Sequence, residues 1–130
     1  MEHLSHPGVV RLVERAEKDP DVLAVMLFGS RARGEARQES DVDVCLVLRG
    51  GAASEPARTH KRLDYLSMAD VDLVVFQQLP LHIRSRVLKE GRVLFVRDED
   101  ELYALAAHTA RAWEAFRHIH RRYLDGVARG

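Results

Sequence analysis

An apolar run, Val22–Phe28, breaks off at Gly29-Ser30, and ten residues later a second run opens on two carboxylates, Asp41-Val42-Asp43-Val44-Cys45-Leu46-Val47. Side chains alternate across a strand, so residues two apart project from the same face and Asp41 and Asp43 can hold one cation together. Mg²⁺ suits such a pair, because it takes oxygen ligands and is commonly held by one or two protein carboxylates together with substrate phosphates. Gly29 lets a phosphate approach the backbone closely. Ser30 adds a hydroxyl donor and can open a helix whose first amides favour anions.

A third carboxylate stands in Ala69-Asp70-Val71-Asp72-Leu73-Val74-Val75-Phe76, where an apolar run starts directly after Asp72. If this run is a strand beside the Asp41–Asp43 strand, Asp72 completes a triad. Asp70 shares its strand face by parity and competes for the third position; Asp72 is preferred because it abuts the apolar run, as Asp43 does. Three carboxylates and a phosphate cradle suit in-line phosphoryl or nucleotidyl transfer, with one metal on the triphosphate and a second near the attacking hydroxyl.

The motif Gly29-Ser30, ten residues, Asp41-Val42-Asp43, with Asp72-Leu73-Val74 later, resembles the signature of the minimal nucleotidyltransferases of the DNA polymerase β-like superfamily. Four fixed residue types at about 5–7% background each would coincide by chance in on the order of one chain in a thousand of this length. The resemblance covers roughly the first hundred residues and includes the Leu79-Pro80 turn and Lys89-Glu90-Gly91-Arg92-Val93-Leu94-Phe95. It implies an α/β (α+β) nucleotidyltransferase fold, a short mixed sheet with flanking helices. It also implies Gly29 and Ser30 as triphosphate binders, Asp41 and Asp43 as metal ligands, and Asp72 as a third ligand or the group that activates the acceptor hydroxyl. Arg31 and Arg33 stand where a guanidinium fork could reach phosphate oxygens.

The chain of 130 residues and 14.8 kDa reads as one domain, a core over about 1–97 and a helix over about 98–125, with 46% hydrophobic residues to fill its interior. A formal net charge of zero and a pI near 7.1 argue against a nucleic-acid acceptor, which calls for a basic field. The single Cys45 reads as a buried small hydrophobe and excludes an internal disulfide. His3, His6, Arg11 and Glu14 interrupt the start of the chain, so no signal peptide is expected; no apolar run reaches membrane-spanning length, and the expected location is cytoplasmic.

Val9, Val10, Leu12, Val13 and Ala16 recur at helical spacing, and Lys18-Asp19-Pro20-Asp21 ends that helix before the Val22–Phe28 strand. A short helix is expected after the Gly-Ser turn, a loop over Arg49–Pro56, and a helix over about Ala57–Ser67. A further helix spans roughly Leu81–Glu90, closed by Gly91, and a short strand Val93–Val96 follows.

From Asp98 to about Asp125 one long helix is expected, with Asp98, Glu99, Asp100 and Glu101 at its start and arginines toward its end, as the helix dipole favours. Leu102, Leu105, Ala106, Trp113, Phe116, Tyr123 and Leu124 form an apolar stripe. A helix this long overruns a domain this small, so part of the stripe, Trp113 and Tyr123 above all, is expected to face another chain in a homo- or hetero-oligomer. His108, His118 and His120, interleaved with arginines, read as a polar basic face. The spacing of Arg111 and His118, which matches a loose ribonuclease pattern, is of a kind that chance supplies in a helix so rich in Arg and His.

Larger members of the family carry extra domains for tRNA or antibiotic acceptors, whereas small stand-alone members resemble antitoxins paired with an all-helical HEPN ribonuclease toxin. That resemblance implies transfer of AMP from ATP to a tyrosine of the toxin. Two other readings stay open: a binding module that neutralises its partner by occlusion, and nucleotidyl transfer to a small molecule such as an aminoglycoside, which needs a deep acceptor pocket.

Overall fold

The structure, a computed structural model, describes residues 6–28, 43–49, 55–67 and 71–129, with backbone alone from residue 120 onward. Its first helix, α1 (Pro7–Glu17), is capped by His6, whose Nδ1 accepts from the amides of Gly8 and Val9 at 3.1 and 3.3 Å. Pro7 in the first turn sacrifices no hydrogen bond there. Val9, Leu12, Val13 and Ala16 bury one face of it, as their spacing predicts.

β1 (Val22–Phe28), β2 (Asp43–Leu48), β3 (Asp72–Val75) and β4 (Arg92–Val96) form one mixed sheet in the order β3-β2-β1-β4. β1 is antiparallel to both β2 and β4, and β2 is parallel to β3. The near-continuous apolar character of β1 and β2 follows from their central places, with helices against both faces. On one face α1 and α2 (Glu55–Leu66) cover Val25, Leu27, Val44, Leu46, Leu73 and Val75. On the other, Met26, Cys45, Val47 and Phe76 meet Val87 of α3 (Leu81–Glu90) and Leu102 and Leu105 of α4 (Glu99–Arg129).

Several expectations shift in detail. α2 begins two residues before the expected Ala57, and β3 gives way at Phe76 to a 3-10 turn, Phe76–Gln78. The Gln77 side chain then stands in for the missing strand, accepting from the Leu48 amide at 3.1 Å and donating to its carbonyl at 2.8 Å. Gly91 does close α3, yet in an extended conformation with φ −72° rather than a left-handed one. What requires glycine is space: a Cβ would lie 2.5 Å from the Val87 carbonyl oxygen and 3.0 Å from Met26 Cε.

Two polar hubs, neither foreseen from the sequence, tie the layers together. The Asp19 carboxylate accepts from the Tyr65 hydroxyl at 2.8 Å and from Lys61 Nζ at 3.0 Å, joining the end of α1 to α2. Burial opposes its ionisation, but these bonds outweigh burial and hold its carboxyl below the usual range. Arg97, between β4 and α4, donates to the carbonyls of Val22, Ala16, Glu17 and Asp19. It thereby ties the C-terminal turn of α1 to the start of β1.

α4 runs 31 residues, four beyond its expected end, and Asp98 caps it by accepting from the Glu101 amide at 3.1 Å. Its first turns lie on the core; farther along, Phe116 and Ile119 are exposed. Ala106 and Trp113 are half-buried, while Tyr123 and Leu124 lie where side chains are outside the description. No helix among the described residues is long and apolar enough to cross a membrane.

Candidate active site

The strand pairing brings three chain segments to one end of the sheet. Phe28, the last residue of β1, is the register partner of Asp43, and Asp43 is in turn the register partner of Asp72. Antiparallel pairing sets the end of β1 against the start of β2, and parallel pairing sets the start of β3 on the other side of β2 at the same end. Neighbouring strands lie about 4.8 Å apart, so the two carboxylates occupy adjacent places on the sheet edge.

Parity fixes their face. Asp43 alternates with Val44 and shares the side of Cys45 and Val47, and Asp72 shares the side of Val74, all of which pack toward α3 and α4. Asp43 is half-buried and Asp72 exposed, whereas Val44 and Leu73, one step inward, are buried at 0% and 2% exposure. Each carboxylate is therefore anchored by an apolar neighbour on the opposite face, and Asp72 is exposed to solvent. Arg62 of α2 adds a second anchor: its Nε donates to the Leu73 carbonyl at 3.0 Å, on the edge strand directly after Asp72. Arg62 was not singled out in the sequence, where an arginine on a helix looks like any solvated one.

Of the residues proposed from the sequence, the structure places Asp43 and Asp72 side by side. Gly29, Ser30, Arg31, Arg33 and Asp41 lie outside the described residues, as does Asp70, the rival for the third position. No cluster of three metal-binding side chains occurs among the described residues. The two carboxylates that are described offer hard oxygen donors on one face of the sheet, which is the donor chemistry Mg²⁺ takes. Cys45, on the same face two residues inward, is buried, and burial pushes its thiol up to about 12, so it supplies neither a soft ligand nor a nucleophile.

An apolar cavity of about 300 Å³ opens between the sheet, α3 and α4, lined by Met26, Leu88, Val93, Val96, Leu102 and Tyr103 among others. It lies toward β4, with β1 between it and Asp43. Neither Asp43 nor Asp72 lines it.

A central mixed sheet that delivers an aspartate from each of two adjacent strands to one edge is the architecture of a nucleotidyltransferase domain. The chain belongs to the family described as polymerase beta, nucleotidyltransferase, whose model matches residues 11–100. It is 32% identical over 81 residues to a Methanocaldococcus jannaschii protein named "Putative protein adenylyltransferase"; the match covers 62% of this chain and 61% of that protein's length. Among solved structures it superposes on a chain of a toxin-antitoxin crystal structure with AMP-PNP, with a TM-score of 0.67 and 21% identity, over 92% of this chain and 95% of that one. It also matches a chain of the complex of tri-AMPylated Shewanella oneidensis HEPN toxin with MNT antitoxin, with a TM-score of 0.64 and 20% identity over 98% of each. These two likenesses show the fold.

Proposed function

We propose that this protein is a Mg²⁺-dependent protein adenylyltransferase that serves as the antitoxin of a HEPN-type ribonuclease toxin in the cytoplasm, transferring AMP from ATP to a toxin tyrosine. The observation that carries the reading is the register Phe28↔Asp43↔Asp72, which gathers the strand leading into Gly29-Ser30 and two carboxylates at one sheet edge. The name of the 32%-identical relative and the AMPylated toxin in one fold neighbour point to the same acceptor class.

In this reading Gly29 and Ser30 hold the triphosphate by backbone amides and a hydroxyl, and Arg31 and Arg33 reach its outer oxygens. Asp41, Asp43 and Asp72 would hold Mg²⁺, which when bound neutralises charge developing on the phosphates. Asp72, the most exposed described carboxylate of the edge, orients the tyrosine hydroxyl and accepts its proton. The phenolate oxygen bonds to the α-phosphorus, the bond to the bridging oxygen breaks, and pyrophosphate leaves with the electron pair.

The test is to incubate the full chain with Mg²⁺, α-labelled ATP and the HEPN-type toxin, beside its Asp41→Asn and Asp43→Asn forms. Label on the toxin with the native chain, lost with either variant, is the expected result. Tight binding of an unlabelled toxin, with every nucleotide tried, would replace the enzyme by an occluding binding module.

A further inference from the structure

We propose that Arg62 is a positioning residue for the site: by holding the Leu73 carbonyl it sets where Asp72 stands relative to Asp43, and through that the cation affinity of the edge and the rate of transfer. The part Asp72 plays in transfer rests on the adenylyltransferase reading; the bracing of Asp72 rests on the strand and the helix.

Asp72 stands where a strand is least constrained. β3 is 4 residues long, it lies at the edge of the sheet, and Asp72 is its first residue. Among the described residues no side chain bonds to the Asp72 carboxylate, so its place follows from its backbone. Val71 and Leu73, on either side of it, are buried and fix how deep the strand lies. Burial of that kind does not stop an edge strand from sliding along its one neighbour or fraying from it, because apolar contacts have no direction. The parallel ladder to β2 supplies one directional hold. Arg62 supplies a second, its Nε donating to the Leu73 carbonyl at 3.0 Å, one peptide beyond Asp72. A donor that carries charge makes such a bond roughly twice as strong as a neutral one.

The brace is only as firm as the helix that carries it, and α2 is tied down at both ends. Next to Arg62, Lys61 Nζ lies 3.0 and 3.3 Å from the Asp19 and Asp21 carboxylates, and the Tyr65 hydroxyl donates to Asp19 at 2.8 Å. Nearer the start of the helix, Gln78 of the turn that follows β3 donates to Thr59 Oγ1 at 3.0 Å and to Glu55 at 3.3 Å. α2 thus grips β3 at its entry through Arg62 and just past its exit through Gln78. The chemical consequence is geometric. Asp43 and Asp72 come from different strands, and of those two strands β3 is the edge one, so Asp72 is the partner whose place can drift. Mg²⁺ demands near-octahedral oxygen ligands at about 2.1 Å, and a carboxylate displaced by a fraction of that loses its place in the shell. An arginine that merely capped a carbonyl would contribute stability and leave cation affinity and turnover untouched.

The experiment compares two replacements of nearly equal length in the full chain. In Arg62→Gln the amide nitrogen takes the place of Nε and still donates, without charge; in Arg62→Met a side chain of similar reach donates nothing. Arg97→Lys, which loosens the opposite end of the sheet at Val22, is the destabilised control. Two quantities are read. One is kcat and KM for transfer from α-labelled Mg²⁺-ATP to the HEPN-type toxin. The other is the Mn²⁺ affinity of the nucleotide-free chain by electron paramagnetic resonance, since Mn²⁺ takes the same oxygen ligands as Mg²⁺. Arg62→Met should lose at least about 10-fold in kcat and in Mn²⁺ affinity with KM for ATP unchanged, the loss typical when a group that orients a metal ligand is removed. Arg62→Gln should recover most of both, and Arg97→Lys should melt lower yet keep both. Native values in Arg62→Met, equal losses in Arg62→Gln and Arg62→Met, or an equal loss in Arg97→Lys would each overturn the proposal. If the native chain passes no label, but Mn²⁺ affinity falls in Arg62→Met and returns in Arg62→Gln, the bracing stands and the adenylyltransferase reading falls. If Arg62→Met passes label at the native rate, the bracing falls and the reading stands. A native chain that neither passes label nor binds Mn²⁺ overturns both.

Discussion

Replacing Arg97 by alanine removes a clamp whose strength can be counted. Nε donates to the Val22 carbonyl at 2.8 Å, and Nη2 lies 2.7, 3.0 and 3.0 Å from the carbonyls of Ala16, Glu17 and Asp19. A single Nη2 carries two protons, so it serves at most two of those three acceptors at once, and the side chain contributes three donated bonds in all. A hydrogen bond to a charged group is worth about 1.5–3 kcal/mol net, and the lower figure applies because Arg97 is half-exposed and water can replace part of it. Three bonds at that figure come to about 4.5 kcal/mol, which for a domain of this size lowers Tm by about 18 °C. Arg97→Lys, a point charge without the fork, should restore less than half of that. Differential scanning calorimetry on the native protein and both variants decides it. A drop below about 3 °C in Arg97→Ala would mean that solvent caps the end of α1 as well as the guanidinium does.

Gly91→Ala should lose about 2 kcal/mol in urea unfolding, because its Cβ would stand 2.5 Å from the Val87 carbonyl oxygen, a backbone atom that can move only with α3. Asp19 has a lowered carboxyl pKa, so the stability it contributes is present above the ordinary carboxylate value and lost as pH falls through its folded value. Tyr65→Phe, which deletes its 2.8 Å donor, should cost about 1–2 kcal/mol at neutral pH and move acid unfolding to higher pH in circular dichroism. The Cys45 thiol is pushed up to about 12 by burial, so stability should fall by about 1.4 kcal/mol per pH unit once pH passes the ordinary thiol range. A thiol reagent that modifies Cys45 faster than the protein unfolds would refute that burial. Asp43→Asn and Asp72→Asn should each abolish label transfer while Tm stays within about 2 °C of native or rises.

The parts of the fold that were legible are those written in local pattern. β1 matches the apolar run Val22–Phe28 residue for residue, and α3 matches Leu81–Glu90, because in both a breaker stands at each end. The Asp43–Asp72 pairing could be stated only as a condition, since the adjacency of two strands is a long-range fact; the register Asp43↔Asp72 supplies it. Gly91 was foreseen as a stop but for a different reason, since crowding against Val87 and Met26 leaves no trace in sequence. Arg97 and Arg62 were missed on the same ground. Each spends its charge on backbone carbonyls, of Ala16 and Leu73 among others, that lie 81 and 11 residues away, and nothing periodic marks a side chain whose partners are main-chain atoms.

The lack of a stability cost expected of the aspartate variants follows from where the strand pairing puts them. Two carboxylates in register on adjacent strands repel each other, so the pair is a liability to the fold. The anchoring comes from one step inward, where Val44 and Leu73 are buried on the opposite face, and from Arg62 holding the Leu73 carbonyl. Neutralising either aspartate leaves those anchors in place and relieves the repulsion, at the expense of whatever the charges hold. A variant that loses activity and melts several degrees lower would show that the carboxylates are themselves structural. One that loses activity and melts at or above the native temperature would show that the sheet edge carries like charge for chemistry, against its own stability.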